Sequence, residues 1–212
     1  MQRIKFLASL LNPQLNNDNF KCVLDIGSDH GHLLKIAFEN KYISKAIATD
    51  NKILPLEKAK NNLKGYDVSY FLSDGFKDIP LDTAYDACVI AGLGGITIQN
   101  ILTLAFKNNN AKYILGPNDH IYDLRNFLCN NNFKIIDEHI VYEKFYYIII
   151  VAVQGNMKLS KKELYTGIYL KNKPLAKDYF NNLIKILSNI NLTCDKITKQ
   201  KNDILIKYYL NY

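Results

Sequence analysis

The sequence lacks the features of a membrane-spanning or secreted chain. No run of about 18 apolar residues is present, and the longest apolar stretch, residues 145–153, has only the length of a strand. The first five residues, Met-Gln-Arg-Ile-Lys, do not begin the apolar core of a signal peptide. We therefore expect a soluble, cytoplasmic protein.

Paired cysteines and zinc-finger spacings are also missing. The four cysteines are far apart in the chain, and no C-x-x-C motif occurs. The four histidines do not alternate with cysteines at the spacing that structural zinc requires. We expect reduced, largely buried thiols and no metal site.

Residues 1–155 have no net charge, because their 16 basic and 16 acidic side chains balance. Residues 156–212 contain 11 lysines and four acidic residues, and so hold the whole net charge of +7. This asymmetry is typical of a polyanion-binding appendage. A chain rich in Lys, Asn, Ile and Tyr would also arise from an AT-rich genome, so charge alone leaves nucleic-acid binding open. The sequence predicts two domains, 1–155 and 156–212.

Short apolar runs alternate with amphipathic segments through the first domain. This alternation predicts a mostly parallel sheet covered by helices on both faces. An initial helical pattern stops at Asn12-Pro13. The predicted strands are 21–27, 46–50, 68–73, 86–91 and 113–115, and the predicted helices are 33–40, 54–63, 97–106 and 122–129.

The pattern changes after residue 132. Residues 133–142 and 145–154 are extended, with no room for a helix between them, which predicts an antiparallel hairpin at one edge of the sheet. The predicted fold class is therefore α/β, a Rossmann-like methyltransferase fold with a seven-stranded sheet. Beyond residue 155, three helices (158–171, 175–190 and 196–210) predict a small basic helical hairpin or short coiled coil.

The first strand runs into the loop Asp-Ile-Gly-Ser-Asp-His-Gly. Glycines there permit a tight turn and a close approach to a ligand at the carboxyl edge of the sheet. Asp29 would repel a pyrophosphate, whereas Asp25 and Asp29 suit the sulfonium and ammonium groups of S-adenosylmethionine. The residues of this loop that we predict to bind the cofactor are Asp25, Gly27, Ser28, Asp29, His30 and Gly31.

Two further strands end in aspartate. Asp50, followed by Asn51, can accept hydrogen bonds from both ribose hydroxyls, and Asp74, followed by Gly75, can accept from the adenine amino group. Each aspartate could instead be a helix N-cap. Three carboxylates at three strand ends favour the cofactor site.

The fourth strand leads into a glycine-rich loop, and the fifth leads into Pro117-Asn118. We expect bare backbone there to face the methionine part of the cofactor and the incoming base. Asn118 offers a donor and an acceptor to a flipped base, although an ordinary turn would also use Pro-Asn. The predicted cofactor-binding residues of the loop are Ala91, Gly92, Gly94 and Gly95.

These motifs resemble the TrmK family, bacterial tRNA (adenine-N1)-methyltransferases that act on adenine 22 in the D-arm. The similarity rests on residues 25–30 (Asp-Ile-Gly-Ser-Asp-His), 91–95 (Ala-Gly-Leu-Gly-Gly), 117–118, 124–128 and 146–149. It implies S-adenosylmethionine as cofactor, tRNA as partner and a C-terminal coiled-coil domain. Gly116 stands where the family usually has Gln, Leu93 stands where it usually has Met, and both terminal segments are short.

Adenine N1 carries a lone pair and no proton, so methylation needs no strong base before attack. Positioning, and fields that favour positive charge on the base, can suffice. The candidate catalytic residues are Asp29, Asn118 and Tyr146, with His30 as a possible general base. The predicted tRNA-binding residues are Arg3, Arg125, Lys161, Lys162, Lys171, Lys173 and Lys177.

The sequence leaves three alternative functions open. One is a methyltransferase that acts on another RNA site or on a small molecule. The second is a nicotinamide- or flavin-dependent oxidoreductase, which Asp29 and the terminal hairpin disfavour. The third is a non-catalytic RNA-binding module, which the intact glycine loops disfavour. We also expect a monomer.

Overall fold

Seven strands form a single sheet in the computed structural model, which describes residues 2–16, 20–105 and 110–212. The strands are β1 (Cys22–Ile26), β2 (Lys45–Asp50), β3 (Val68–Leu72), β4 (Ala87–Ala91), β5 (Lys112–Gly116), β6 (Phe133–Tyr142) and β7 (Tyr146–Gln154). The central strands have continuous apolar cores, the composition of strands that are buried on both faces, whereas the outer strands β3 and β6 contain polar residues.

The strand order is β3-β2-β1-β4-β5-β7-β6, which confirms the predicted fold class. β1 to β5 are parallel, and β7 runs antiparallel to both β5 and β6. Leu115 pairs with Ile150, so the first residues of β7 extend past the end of β5. The hairpin tip therefore lies at the same edge as the carboxyl ends of the parallel strands.

Helices cover both faces of the sheet. They are α1 (Gln2–Ser9), α2 (Pro13–Asn16), α3 (His32–Glu39), α4 (Ile53–Asn62), α5 (Gly95–Leu102), α6 (Ile121–Asn130), α7 (Lys161–Thr166), α8 (Ala176–Ile190) and α9 (Lys196–Leu210). One apolar cluster joins α1 and α3 to the sheet, through Leu7, Leu34 and Val89. The other joins α5 and α6 to the opposite face, through Ile98, Leu124 and Ile90. The predicted end of α5 at Phe106 lies outside the described residues.

The predicted single helix at 158–171 is wrong. Ser160 and Glu163 form a capping box that begins α7, and the helix ends before Gly167, which has φ 72°. A Cβ on Gly167 would lie 2.5 Å from Glu138 Oε2, so only glycine fits there. A short 3₁₀ turn, Leu170–Asn172, connects α7 towards α8.

The C-terminal helices pack on the sheet domain as well as on each other. α8 and α9 form the predicted helical hairpin, whereas a coiled coil stays a prediction. Phe180 and Tyr209 are buried in the same apolar cluster as Ile135 and Tyr113 of the sheet. Residues 156–212 therefore share a hydrophobic core with the strands.

The described part of the chain holds no helix that is long and apolar enough to cross a membrane. Within the same residues, no group of three His, Cys, Asp or Glu side chains is placed to hold a metal ion. The four cysteines are free thiols, and burial raises the pKa of Cys88 well above its usual value.

Candidate cofactor and base-binding site

A cavity of ≈ 480 Å³ opens at the carboxyl edge of β1, β2 and β4, where open α/β sheets bind their ligands. It collects most of the cofactor-binding residues predicted from the sequence. Those that line it are Asp25, Gly27, Ser28, Asp29, His30, Asp50, Asn51, Asp74, Gly75, Ala91 and Gly92.

The loop after β1 folds back over the end of β2. The backbone amides of Gly27 and Ser28 both donate to the Thr49 carbonyl, at 2.9 and 2.8 Å. Asp29 takes a left-handed conformation with φ 49°, which exposes its carboxylate at the cavity wall. The loop therefore presents bare backbone and one acid to the cavity. Gly31 lies against Leu63 and outside the lining of the cavity, so its contact with the cofactor stays a prediction.

Asp50 organises the loops on either side of it. Its Oδ2 accepts from the Asp29 amide at 3.1 Å, and its Oδ1 accepts from the Lys52 amide at 2.9 Å. Only 8% of the residue is exposed, and it faces the cavity. α4 begins with Lys52 as its capping residue and has no side-chain cap, so Asp50 is not the N-cap.

Asp25 is the most strongly perturbed acid of the cavity. Desolvation, followed by the charge of Asp50, raises its pKa to about 7. Among the described residues, no Lys, Arg or His side chain forms an ion pair with Asp25 or Asp50. The cavity therefore contains two buried carboxyl groups that have no cationic partner among the described residues.

Asp74 lies at the rim, where its carboxylate forms an ion pair with Lys77. The neighbouring Ser73 hydroxyl donates to the Gly75 carbonyl at 2.8 Å and accepts from the Asp78 amide at 3.1 Å. These bonds fix the turn that brings Gly75 to the cavity wall. The carboxylate of Asp74 could accept from an adenine amino group here, and this role stays a prediction.

The glycine-rich loop divides into two parts. Ala91 and Gly92 line the cavity, whereas Gly94 and Gly95 lie outside its lining, and their contact with the cofactor stays a prediction. A Cβ on Gly95 would lie 2.7 Å from the Asp119 carbonyl, and the Gly95 amide donates to Asp119 Oδ1 at 2.9 Å. This glycine therefore serves the packing of α5 against the loop after β5.

Asn118 lies outside the lining of the cavity, next to the lining residues Arg3 and Gly92, and is held on both sides of its amide. Its Nδ2 donates to the Gly92 carbonyl at 2.7 Å, and its Oδ1 accepts from Arg3 Nη1 at 2.8 Å. The Arg3 guanidinium lies 4.3 Å from the centre of the Tyr147 ring. Arg3, which the sequence assigned to tRNA phosphates, thus lines the cavity and orients Asn118.

The other catalytic candidates separate in space. His30 lines the cavity, and its Nε2 lies 3.5 Å from Asp29 Oδ1. Tyr146 does not line the cavity. It faces the side of the sheet opposite to Tyr147, because side chains alternate along a strand. Its ring contacts Tyr142 and Tyr179, and its neighbour Tyr147 contacts Arg3.

The phosphate-binding role expected of Arg125 is wrong. Only 1% of the residue is exposed, and its Nε donates to Glu138 Oε1 at 2.7 Å. Its Nη1 donates to the Leu164 carbonyl at 2.9 Å. Glu138 Oε2 in turn accepts from the Ile168 amide at 2.9 Å. This buried ion pair joins α6 and β6 to the segment around α7.

The C-terminal lysines differ in their availability. Lys161, Lys171 and Lys177 are exposed. Lys173 is half-buried, with its Nζ 2.6 Å from Asp137 Oδ1, and Lys162 donates to the Asn211 carbonyl. Only the first three have ammonium groups that are exposed to an incoming polyanion.

Several residues of the cavity were not predicted as cofactor ligands. Two of them could have been found from the sequence, because they lie close to aspartates that end predicted strands. Ser73 directly precedes Asp74, and Lys52 comes two residues after Asp50. Ile4 and Leu7 come from α1, and no local pattern ties that helix to the cavity. The unpredicted lining residues, apart from Arg3, are Ile4, Leu7, Ile26, His32, Leu33, Lys52, Pro55, Ser73, Leu93, Thr97 and Ile101.

Comparisons with known proteins agree on one family. A sequence profile described as "TrmK: tRNA (adenine(22)-N(1))-methyltransferase" matches residues 23–209. A putative tRNA methyltransferase of Mycoplasma pneumoniae is 33% identical over 196 residues, which cover 87% of this chain and 88% of that protein. The tRNA (adenine(22)-N(1))-methyltransferase of Bacillus subtilis is 33% identical over 72% of this chain and 65% of its own length.

A solved structure extends the similarity to the whole fold. M. capricolum TrmK in complex with S-adenosyl-homocysteine superposes with a TM-score of 0.84 and 26% sequence identity. The superposition covers 100% of this chain and 96% of that one.

Proposed function

The chain belongs to the TrmK family, tRNA (adenine(22)-N(1))-methyltransferase, and we propose that it methylates N1 of adenine 22 in tRNA with S-adenosylmethionine as methyl donor. The observation that carries this proposal is the pair of buried carboxyl groups, Asp25 and Asp50, in a glycine-lined cavity at the carboxyl edge of the sheet. Buried acids without a cation from the described residues suit a ligand that supplies one.

The residues present fit S-adenosylmethionine. Asp50 has the acceptor oxygens for two ribose hydroxyls, and Asp74 can accept from the adenine amino group. Ser28 Oγ is buried at the cavity wall without a hydrogen-bond partner in the described structure, and a polar ligand would satisfy it. Asp29 at the loop disfavours a pyrophosphate, which argues against a nicotinamide or flavin dinucleotide.

S-adenosylmethionine supplies an electrophilic methyl group on a positively charged sulfur. The chain's own part is to hold the cationic end near Asp25 and Asp29 and to place adenine N1 in line with the methyl group. The N1 lone pair forms the new bond, so no side chain has to remove a proton first. The methylated base is cationic, and the acidic cavity favours that charge.

Asn118 is the residue we assign to the target base. The Gly92 carbonyl and Arg3 fix which end of its amide is oxygen and which is nitrogen. The second hydrogen of Nδ2 and the second lone pair of Oδ1 remain for the edge of the adenine. His30 stays an alternative proton acceptor.

The proposed tRNA surface comprises the exposed Lys161, Lys171 and Lys177 of the C-terminal part. The cofactor is bound by the part that comprises residues 1–155. Because residues 1–155 and 156–212 share a hydrophobic core, we propose that the boundary at 155/156 separates two functions, cofactor binding and tRNA binding. We further propose that the protein acts as a monomer in the cytoplasm, where tRNA is modified.

The experiment that tests the function is transfer of a labelled methyl group to two tRNA transcripts that differ only at position 22. We expect incorporation into the transcript with adenine 22, at N1, and none with guanine 22. Equal labelling of both transcripts would assign the enzyme to another RNA site.

A further inference from the structure

A second cleft lies at the same edge of the sheet as the cofactor cavity, between the tip of the β6–β7 hairpin and α8. Its volume is ≈ 360 Å³. Four of its seven lining residues are aromatic, and one is basic. They are Tyr142, Lys144, Phe145, Tyr146, Tyr179, Asn182 and Leu183.

The aromatic rings of this cleft are open to solvent at its rim. Phe145 is 61% exposed and Tyr142 is 50% exposed, whereas Tyr179 at the inner wall is buried. The Tyr146 ring lies 4.9 Å from Tyr142 and 5.7 Å from Tyr179, measured between centroids. The cleft is therefore an aromatic wall with one uncovered side.

The hairpin tip that forms the rim is fixed in place. The Glu143 amide donates to the Phe145 carbonyl at 3.2 Å, which closes the turn. Glu143 Oε1 accepts from the Gln2 amide at the start of α1, at 2.6 Å. The backbone that presents the exposed rings therefore needs little ordering when a ligand arrives.

The cleft and the cofactor cavity are connected through two neighbouring residues of β7, because Tyr146 lines the cleft and Tyr147 contacts a residue of the cavity wall. Tyr147, next to Tyr146 in β7, lies under Arg3, and Arg3 lines the cavity. Adjacent residues of a strand are about 3.3 Å apart along it. A polynucleotide whose reactive base enters the cavity would therefore pass over the hairpin edge.

We propose that this cleft is a stacking subsite for an unpaired nucleobase of the RNA substrate, next to the base that is methylated. Proteins hold single-stranded RNA by stacking splayed bases on aromatic side chains, with basic groups at the phosphates. The Lys144 ammonium lies 5.6 Å from the Phe145 ring centre and is placed to meet a phosphodiester. The Asn182 amide offers a donor and an acceptor to a base edge.

This inference rests on the proposed function, because an RNA substrate supplies the nucleobase. It also gives Tyr146 a role that its position permits. In the cleft, its ring forms part of the stacking wall instead of touching the cofactor.

The test uses Phe145, whose exposed ring can be removed with little effect on the core. Phe145→Ala should weaken tRNA binding about tenfold at fixed salt, the usual effect of losing one base–aromatic stack. Phe145→Trp should bind as tightly as the wild type. Affinity for S-adenosylmethionine and the salt dependence of tRNA binding should stay unchanged in both variants, since no phosphate contact is removed.

A matched control is Tyr66, which is 37% exposed and stacks on Phe38 at the opposite edge of the sheet. Tyr66→Ala should bind tRNA like the wild type. Because the chain has no tryptophan, Phe145→Trp and Tyr66→Trp each place a single fluorescent indole. Addition of tRNA should quench the indole at 145 and leave the indole at 66 unchanged.

The outcomes separate this inference from the proposed function. If the wild type methylates adenine 22 and Phe145→Ala binds tRNA like the wild type, the subsite is wrong and the function stands. Equal quenching at positions 145 and 66 would also overturn the subsite. If Phe145→Ala loses affinity but the wild type transfers no methyl group, the subsite stands and the proposed function fails.

Discussion

Two regions of this molecule bury carboxyl groups, and they differ in whether a basic side chain of the protein pairs with them. Behind α6, the Glu138 carboxylate is fully buried and meets the Arg125 guanidinium at 2.7 Å. In the cofactor cavity, Asp25 and Asp50 are buried without a cation from the described residues, and the pKa of Asp25 is raised to about 7. In the first region the carboxylate is paired within the chain by Arg125, although the Nη2 of this arginine is buried without a hydrogen-bond partner in the described structure. In the second region, the missing cation is the one that we propose the cofactor supplies.

The largest effect on stability is expected from breaking the Arg125–Glu138 ion pair. Arg125→Met leaves the Glu138 carboxylate buried without a cation, which typically costs about 3–5 kcal/mol of unfolding free energy. Denaturant titration measures this loss. Lys77→Met, which breaks the exposed pair with Asp74, is the control and should leave the unfolding midpoint unchanged. Equal effects of the two substitutions would contradict a structural role for Arg125.

In the cavity, we expect the loss of a carboxyl group to weaken ligand binding. Asp50→Ala removes the acceptor that we propose for the ribose hydroxyls, together with the acceptor for two loop amides, and should weaken S-adenosylmethionine binding by about 30-fold or more. Calorimetry of the purified variant gives the dissociation constant. Asp67→Ala removes an exposed acid just before β3, at the opposite edge, and should bind the cofactor normally. An unchanged dissociation constant for Asp50→Ala would leave Asp50 with a purely structural role.

The raised pKa of Asp25 gives a pH dependence with a definite sign. A cationic ligand favours the ionised carboxyl, so affinity for S-adenosylmethionine should rise through pH 7 and fall roughly tenfold from pH 8 to pH 6. Asp25→Asn should remove this component and keep any that belongs to the ligand. The same pH profile in the wild type and in Asp25→Asn would show that Asp25 does not titrate with binding.

The sign for stability is the reverse. The folded protein keeps a proton on Asp25 up to about pH 7, while the unfolded chain releases it near its usual pKa of 3.8. The stability of the ligand-free protein should therefore decrease as the pH rises from about 4 to 7, and its Asp25 contribution should level off above.

The smallest effect should come from the exposed lysines. Lys171→Ala and Lys177→Ala should each reduce the slope of log affinity against log salt by about 0.7–0.9, the effect of one lost phosphate contact. tRNA binding at several salt concentrations measures the slope. Lys45→Ala, at the opposite edge of the sheet, should leave it unaltered. A similar change of slope in all three variants would mean that binding is a general charge effect.

Most of the fold and the floor of the site could be predicted from the sequence. Apolar runs that end in Gly or Asp identify buried parallel strands, and such strands end at one edge, so Asp25, Asp50 and Asp74 had to meet there. Alternation along β7 could also have shown that Tyr146 and Tyr147 face opposite sides, since the period of a strand is two.

The errors arose where a residue depends on a distant partner. Nothing near Arg125 in the sequence shows that Glu138 and the carbonyl of Leu164 surround it. Gly95 is required by the backbone of Asp119, which is 24 residues away in the sequence. The break in the helix expected at 158–171 did carry local signals, since Ser160 and Glu163 match a capping box and Gly167 follows α7.

The most direct test of the account is calorimetric titration of the ligand-free protein at pH 6.5 with S-adenosylmethionine and, separately, with NAD. If two buried acids await a cation, the sulfonium compound should bind saturably with release of a proton from Asp25, and NAD should give no saturable heat. Saturable binding of NAD, with no heat from S-adenosylmethionine, would contradict it.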